Sequence, residues 1–282
     1  MIAILMSTYN GEKYLREQIE SFFSQTFKDW KLFIRDDGSK DNTKSIINEY
    51  TSKFSEKIVY IESSPQNKGV GESFMHLLKV VDAEYYMFSD QDDVWLPQKI
   101  EHTFKKLLSL EQQHGNSMPI GVFTDLCVTD DKLNVIMPSL WKGDNRNPEL
   151  IRNFYIQWTN RHCIYGCTMM LNRAVKSIVF PYHQAYGFIH DTWIEYILIH
   201  EGVYDYIDEP TILYRQHGTN AVGANFGHDI KKETQEMAFH LGVLLEKLKK
   251  DYKRTKLMPF HVSYTKVLWY RIYQSAMSII KK

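Results

Sequence analysis

The run Tyr85-Tyr86-Met87-Phe88-Ser89-Asp90-Gln91-Asp92-Asp93 places three carboxylates in four positions directly after a short apolar stretch. Such a stretch, bounded by turn residues, reads as a buried strand over 84–89. In an open α/β sheet, ligands gather beyond the carboxyl ends of the strands. Carboxylates crowded there repel one another, so a cation must compensate them. A hard divalent ion, Mg²⁺ or Mn²⁺, suits one or two carboxylates together with phosphate oxygens. One carboxylate would suffice to cap the next helix, and three exceed that need.

Outward from this stretch, short apolar runs alternate with helical patterns. Strands are expected at 2–7, 31–35 and 58–61, and helices at 12–24, 41–54, 71–81 and 97–110. The last helix is opened by Pro97 and the second capped by Ser39 or Asp41. This alternation predicts an α/β fold, a mixed, mostly parallel sheet flanked by helices. Beyond Gly115 the pattern loosens. Strands are expected at 119–125, 126–136 (interrupted by a turn at Asp130-Asp131), 203–207 and 211–215, an apolar run at 163–171, a loop at 137–147, and a helix at 191–200. From 229 the pattern is helical, with Met237, Leu241, Leu244, Leu245 and Leu248 on one stripe. The expected division is a domain over 1–227, with a nucleotide-binding half (1–125) and an acceptor-binding half (126–227), followed by a C-terminal helical extension (228–282).

Composition excludes several classes. The 34 basic and 34 acidic residues balance, against a general nucleic-acid binder. Residues 229–282 carry 12 Lys/Arg against 5 Asp/Glu, leaving the preceding body net acidic by 7. Three cysteines, Cys127, Cys163 and Cys167, are too few for a disulfide framework and lack zinc-site spacing. They are expected as reduced, buried thiols. With no signal-peptide pattern and no long apolar span, a cytoplasmic protein is expected. Basic and aromatic residues interleave in the tail (Lys266, Trp269, Tyr270, Arg271, Lys281, Lys282), which fits either packing on the body or a second subunit, or contact with the inner face of the membrane.

A second acidic strand end, Asp36-Asp37-Gly38-Ser39, follows the second strand. A carboxylate there can accept from a pyrimidine imide N–H and from ribose hydroxyls; an ordinary turn is the alternative. No P-loop occurs. Gly69-Val70-Gly71 begins a dinucleotide fingerprint, but Phe74 occupies the third glycine position. Phosphate is therefore expected to be neutralised by metal.

In order and spacing, Met6-Ser7-Thr8-Tyr9-Asn10-Gly11, Asp36-Asp37-Gly38-Ser39, Asn67-Lys68-Gly69 and Asp90-Gln91-Asp92-Asp93-Val94-Trp95 resemble the family 2 glycosyltransferases of the GT-A fold. Gly166-Cys167-Thr168-Met169, His190-Asp191-Thr192-Trp193 and Tyr214-Arg215-Gln216-His217-Gly218 look like bacterial rhamnosyltransferase-type members, and the likeness covers about 1–220. The resemblance implies a GT-A (Rossmann-like) sheet and an inverting transferase using Mn²⁺ or Mg²⁺. It implies a donor site of Thr8, Tyr9, Asn10, Asp36, Asp37, Asn67, Gly69, Asp90, Gln91 and Arg215, with Arg215 on the diphosphate. It further implies metal ligation by Asp92, His217 and Asp90, with Asp93 as a helix cap or support. Asp191 would be the catalytic base, and His190 and Trp193 would shape the acceptor site. The implied donor is dTDP-L-rhamnose, with a UDP-hexose or UDP-N-acetylhexosamine as alternative. The implied acceptor is a glycan hydroxyl, lipid-linked in a growing surface polysaccharide.

Three other readings use some of these residues. A sugar nucleotidyltransferase would want a glycine- and lysine-rich N-terminal phosphate loop. A glycoside hydrolase would need paired carboxylates but no nucleotide. A non-catalytic nucleotide-sugar-binding protein would not need Asp191.

Overall fold

The structure, a computed structural model, describes residues 1–62, 67–159, 163–182, 184, 188–218 and 241–280. Among these, nine strands form one sheet: β1 (Ile2–Thr8), β2 (Trp30–Asp36), β3 (Ile58–Tyr60), β4 (Tyr85–Ser89), β5 (Val94–Trp95), β6 (Ile120–Thr129), β7 (Val135–Met137), β8 (Met169–Asn172) and β9 (Val203–Arg215). The helices are α1 (Leu15–Phe23), α2 (Thr43–Lys53), α3 (Val70–Val80), α4 (Lys99–His114), α5 (Leu140–Gly143), α6 (Phe154–Thr159), α7 (Lys176–Val179), α8 (His190–Glu201), α9 (Leu241–Thr255) and α10 (Tyr264–Ile280).

The sheet order is β3-β2-β1-β4-β8-β6-β9-β5, with β7 beside β6. β3, β2, β1 and β4 are mutually parallel, whereas β8 runs antiparallel to β4 and β6. Alternation along β1 shows why helices cover both faces. Ala3 and Leu5 join a core with α3 and α8. Ile2, Ile4 and Met6 join another with α1, α2 and α4. α8 is buried on most sides, with Trp158 of α6 stacked on Tyr196 at 4.8 Å.

Three expectations need correction. The break expected after 125 does not exist: β6 is continuous, so the division between halves falls inside a strand. β9 likewise runs through Glu209-Pro210, because the register with β6 skips from Ile207 to Pro210 and the bulge absorbs a residue that cannot donate. The loop expected at 137–147 holds the turn of α5, capped by Ser139 and anchored by buried Trp141. All three cysteines are free and buried.

The C-terminal helices are bonded to residues 153–159 in and around α6. Arg271 donates to Asp251 (2.8 Å) and to the Thr159 carbonyl (2.7 Å), and Trp158 Nε1 donates to Asp251 (3.2 Å). Tyr270 stacks on Tyr155 at 5.9 Å. Tyr270 and Arg271 therefore turn inward onto the body, one of the alternatives the interleaved tail residues left open. Met237, Lys281, Lys282 and the 227/228 boundary lie outside the described residues. Among the described residues no helix is long and apolar enough to cross a membrane.

Candidate active site

The registers Thr8↔Asp36 and Met6↔Ser89 bring the carboxyl ends of β1, β2 and β4 to one edge. A cavity of about 270 Å³ opens there. Thr8, Tyr9, Asp37, Asn67, Gly69, Asp90, Gln91 and Asp92 line one part, and Tyr165, Gly166, His190, Asp191 and Tyr214 another. Residues some 180 positions apart thus meet in one pocket.

On the nucleotide side, the two acids of the Asp36-Asp37 turn have different surroundings. Asp36 accepts from Thr8 Oγ1 (3.1 Å), Gly38 N (3.1 Å) and Ser39 N (2.9 Å), closing a turn that needs Gly38 at φ 91°. It is buried and outside the cavity wall. Asn10 is also spent on this turn, its Oδ1 accepting from Lys40 N at 2.9 Å. Asp37 does line the cavity, and its carboxylate accepts from Arg35 (2.6 Å), Lys68 N (2.9 Å) and Gly69 N (2.9 Å). It thereby pins the 67–69 loop over the pocket, with Gly69 at φ 82°. Gln91 clamps the backbone of Tyr9 from both sides, Oε1 accepting from its N–H (2.9 Å) and Nε2 donating to its carbonyl (3.0 Å). Gly11 makes room for that clamp, since a Cβ there would lie 2.2 Å from Gln91 Oε1.

The acidic turn joins β4 to β5. Asp92 Oδ2 lies 2.8 Å from His217 Nε2, and the His217 ring packs on Tyr14 at 4.8 Å. Burial and the Asp92 and Asp191 charges push Asp90 up to about 7, partly offset by the Cys167 thiol. Asp93 is wholly buried. Its Oδ1 accepts from Arg215 N (3.0 Å), while Oδ2 has no partner among the described residues. Burial and the charges of Asp92 and Asp90 push it well above the ordinary range. It supports β9 rather than capping a helix. Behind it lies buried Lys99, which burial pushes down to about 8.

These residues fit a divalent cation. Adjacent octahedral ligands about 2.1 Å from a small hard ion are about 3.0 Å apart, close to the spacing of Asp92 Oδ2 and His217 Nε2. Carboxylates held partly protonated by one another gain by sharing a cation. Asp90, Asp93 and Cys167 also bring ligand atoms within 4.8 Å of one another. The soft, buried thiol suits a hard ion poorly, which favours the Asp92–His217 side.

Arg215 does not line the cavity. Its Nε donates to the Asp92 carbonyl (2.7 Å), Nη1 to the Asp131 carbonyl (2.7 Å), and Nη2 pairs with Glu17. It braces the acidic turn from behind rather than reaching a diphosphate. Trp193 is also absent from the wall. Its indole donates to the Val179 carbonyl (2.8 Å) and packs on Phe188, which places it in the core.

Asp191 occupies the first turn of α8, where backbone N–H groups favour a carboxylate. It accepts from Thr192 N (2.5 Å) and Gly166 N (3.3 Å) and still lines the cavity. His190 beside it is 4% exposed and packs on Phe74 at 4.3 Å. Neither ring nitrogen has a partner among the described residues, and burial pushes its pKa down, partly offset by the Asp191 charge.

Sequence reasoning missed Arg35, Lys99, Tyr165 and Tyr214. Lys99 had a signal: it shares the buried stripe of α4 with Ile100, Thr103 and Leu107. Tyr214 opens the stretch Tyr214-Arg215-Gln216-His217-Gly218 but was given no role there, and Tyr165 had no signal, since only tertiary folding brings it to the wall.

A parallel sheet with two acidic strand ends at one edge, extended through antiparallel β8 to β6 and β9, with Asp191 of α8 lining the same cavity, has the GT-A glycosyltransferase architecture. The model described as Glycosyl transferase family 2 matches residues 3–179, and the chain belongs to that family. It is 31% identical over 238 residues to the dTDP-rhamnosyl transferase RfbG of Shigella flexneri, covering 80% of this chain and 76% of RfbG. An uncharacterized glycosyltransferase of Rickettsia typhi is 25% identical over 208 residues, covering 73% of this chain and 61% of that one. Among solved structures, S. aureus TarS in complex with UDP-GlcNAc superposes with a TM-score of 0.55 at 16% identity, covering 80% of this chain and 61% of TarS. The mannosyltransferase PcManGT from Pyrobaculum calidifontis, in complex with GDP-Man and Mn²⁺, gives 0.58 at 13%, covering 96% and 69%. Both show the shared fold.

Proposed function

We propose that this glycosyltransferase is an inverting, Mn²⁺- or Mg²⁺-dependent enzyme that transfers L-rhamnose from dTDP-L-rhamnose to a hydroxyl of a growing bacterial surface glycan, lipid-linked in its working form. The observation that carries the reading is that Asp92, paired behind the wall with His217, and Asp191 line one cavity. The likeness to RfbG supports the donor.

Thr8, Tyr9, Asp37, Asn67 and Gly69 would hold the nucleoside, with Asp37 accepting the pyrimidine imide N–H and the exposed Tyr9 ring lying against the base. Asp90 and Gln91 would border the ribose. Asp92, His217 and Asp90 would hold the cation, which when bound stabilises charge developing on the leaving diphosphate. Asp191 would take the proton from the acceptor hydroxyl, since a carboxylate within hydrogen-bond reach makes a poor nucleophile competent. A single base without a covalent partner implies inversion. His190, whose ring nitrogens have no partner among the described residues, would bond sugar or acceptor hydroxyls. Arg215 and Asp36 keep the turns in place.

Thymine and uracil present the same imide N–H, so a UDP-hexose or UDP-N-acetylhexosamine is the second reading. A thermal-shift panel of dTDP-rhamnose, UDP-sugars and GDP-mannose, with and without Mn²⁺, decides between them. The proposal expects the largest stabilisation with dTDP-rhamnose plus Mn²⁺. If none of the nucleotide sugars stabilises the protein, the reading fails.

A further inference from the structure

The outer faces of the two C-terminal helices have a chemistry that the catalytic site does not use. On α10, Trp269, Ile272 and Tyr273 are 58%, 53% and 48% exposed. Spaced at i, i+3 and i+4, they share one face, and the Trp269 ring stacks on Tyr273 at 5.3 Å. The opposite face is already occupied, with Val267 fully buried, Tyr270 on Tyr155 and Arg271 on Asp251. The outward aromatic face is thus surplus to holding the helix on the body. On α9, Leu245 and Tyr252 are exposed as well.

Charge defines the surroundings of this face. Lys247, Lys249 and Lys250 are exposed on α9, Lys256 just past its end lies over the exposed Tyr252 ring, and Lys266 of α10 is exposed with its ammonium over Tyr155 on the inner face; Glu246 is the one exposed acid among the helices' described residues. The other acid, Asp251, is consumed internally by Trp158 and Arg271.

We propose that these faces of α9 and α10 dock the protein on an anionic lipid surface. Tryptophan and tyrosine favour the headgroup boundary, where an apolar body and a polar edge are both satisfied. Lysines beside them gain from the negative potential of acidic headgroups. A second copy in a two-fold interface would set the same lysines against each other, which favours lipid as the occupant. The helices are bonded to the acceptor half, Arg254 lying over Phe188 at 4.3 Å, two residues from His190. Docking would therefore hold the acceptor half against the bilayer. The surface deepens the proposed function, resting on it for its purpose: it is where a lipid-linked acceptor would be met.

The test sediments the full chain with vesicles of phosphatidylcholine, with and without phosphatidylglycerol. Binding is expected with phosphatidylglycerol only, with a blue shift of tryptophan emission and release at high salt. Trp269→Ala/Ile272→Ser/Tyr273→Ala should reduce vesicle binding by about tenfold or more. Lys249→Gln and Lys250→Gln should each reduce it by about fivefold. The far-UV circular dichroism and melting temperature of each variant should match the wild type, showing that it is folded. Wild-type protein left in the supernatant, or variants that bind as well as wild type, would overturn the proposal. So would a doubled mass in light scattering that the triple variant abolishes, without vesicle binding, because the face is then an interface between copies. Vesicle binding without nucleotide-sugar binding leaves the surface standing and sinks the transferase reading alone.

Discussion

His217 Nε2 lies 2.8 Å from Asp92 Oδ2, joining a residue on the cavity wall to one 125 positions further along that is not on it. Asp92 follows β4 and His217 follows β9, so the pair closes the acidic turn against the far part of the sheet. Asp92→Ala should abolish cation-dependent donor binding and lower transfer by about a hundredfold or more. His217→Ala should weaken Mn²⁺ affinity by about tenfold while retaining some transfer. Calorimetric titration of Mn²⁺ with nucleotide present checks both, and unaltered Mn²⁺ affinity in both variants would refute the assignment.

Asp191 is the residue proposed as the base. Asp191→Asn preserves its size and can still accept at the start of α8, so folding should hold. Transfer should fall by about 10²–10⁴-fold, as expected for loss of a general base. Donor affinity should stay near wild type, because a base acts chiefly in the transition state. Single-turnover assays alongside donor titration separate the two; a variant that keeps most of its activity removes Asp191 from the mechanism.

Asp90 supplies a pH dependence. Its pKa is raised to about 7 by burial and by Asp92 and Asp191. Between about pH 4 and pH 7 the folded protein therefore holds a proton that the unfolded chain has lost. Stability of the cation-free protein should fall as pH rises through that window. A divalent cation prefers the ionised carboxylate, so stabilisation by Mn²⁺ should grow over the same range. Scanning calorimetry with and without Mn²⁺ reads this, and a Mn²⁺ effect independent of pH would contradict it.

Arg35 and Asp37 form a buried ion pair at 2.6 Å beneath the 67–69 loop. Arg35→Met strands the Asp37 carboxylate and should cost about 3–5 kcal/mol. Arg35→Met with Asp37→Asn should recover part of that loss, because no buried charge is then unpaired. Urea unfolding of the three proteins tests the coupling; equal losses in the single and double variants would show that the pair does not act as a unit.

The strand–helix alternation of the first 110 residues was legible because each element carries its own period: apolar runs for β1, β2 and β4, and helical stripes for α1 and α4. The acidic turn was legible because like charges at a strand end need a partner, whatever the rest of the chain does. The continuity of β6 and β9 was not, since a turn-forming pair such as Glu209-Pro210 can be absorbed by a bulge once a neighbouring strand is present.

From sequence alone came the parallel strands of the first part of the sheet, the two acidic strand ends and the list of candidate groups for the site. Tertiary structure alone decided which of those groups reach the cavity. Asp37 faces it while Asp36 closes a turn, Asp92 meets His217, and Arg215 and Trp193 turn away into supporting roles. The reason is geometric. Local spacing fixes an element and its direction, but where a side chain ends depends on partners more than a hundred residues away, whose backbone amides, carbonyls and charges compete for it.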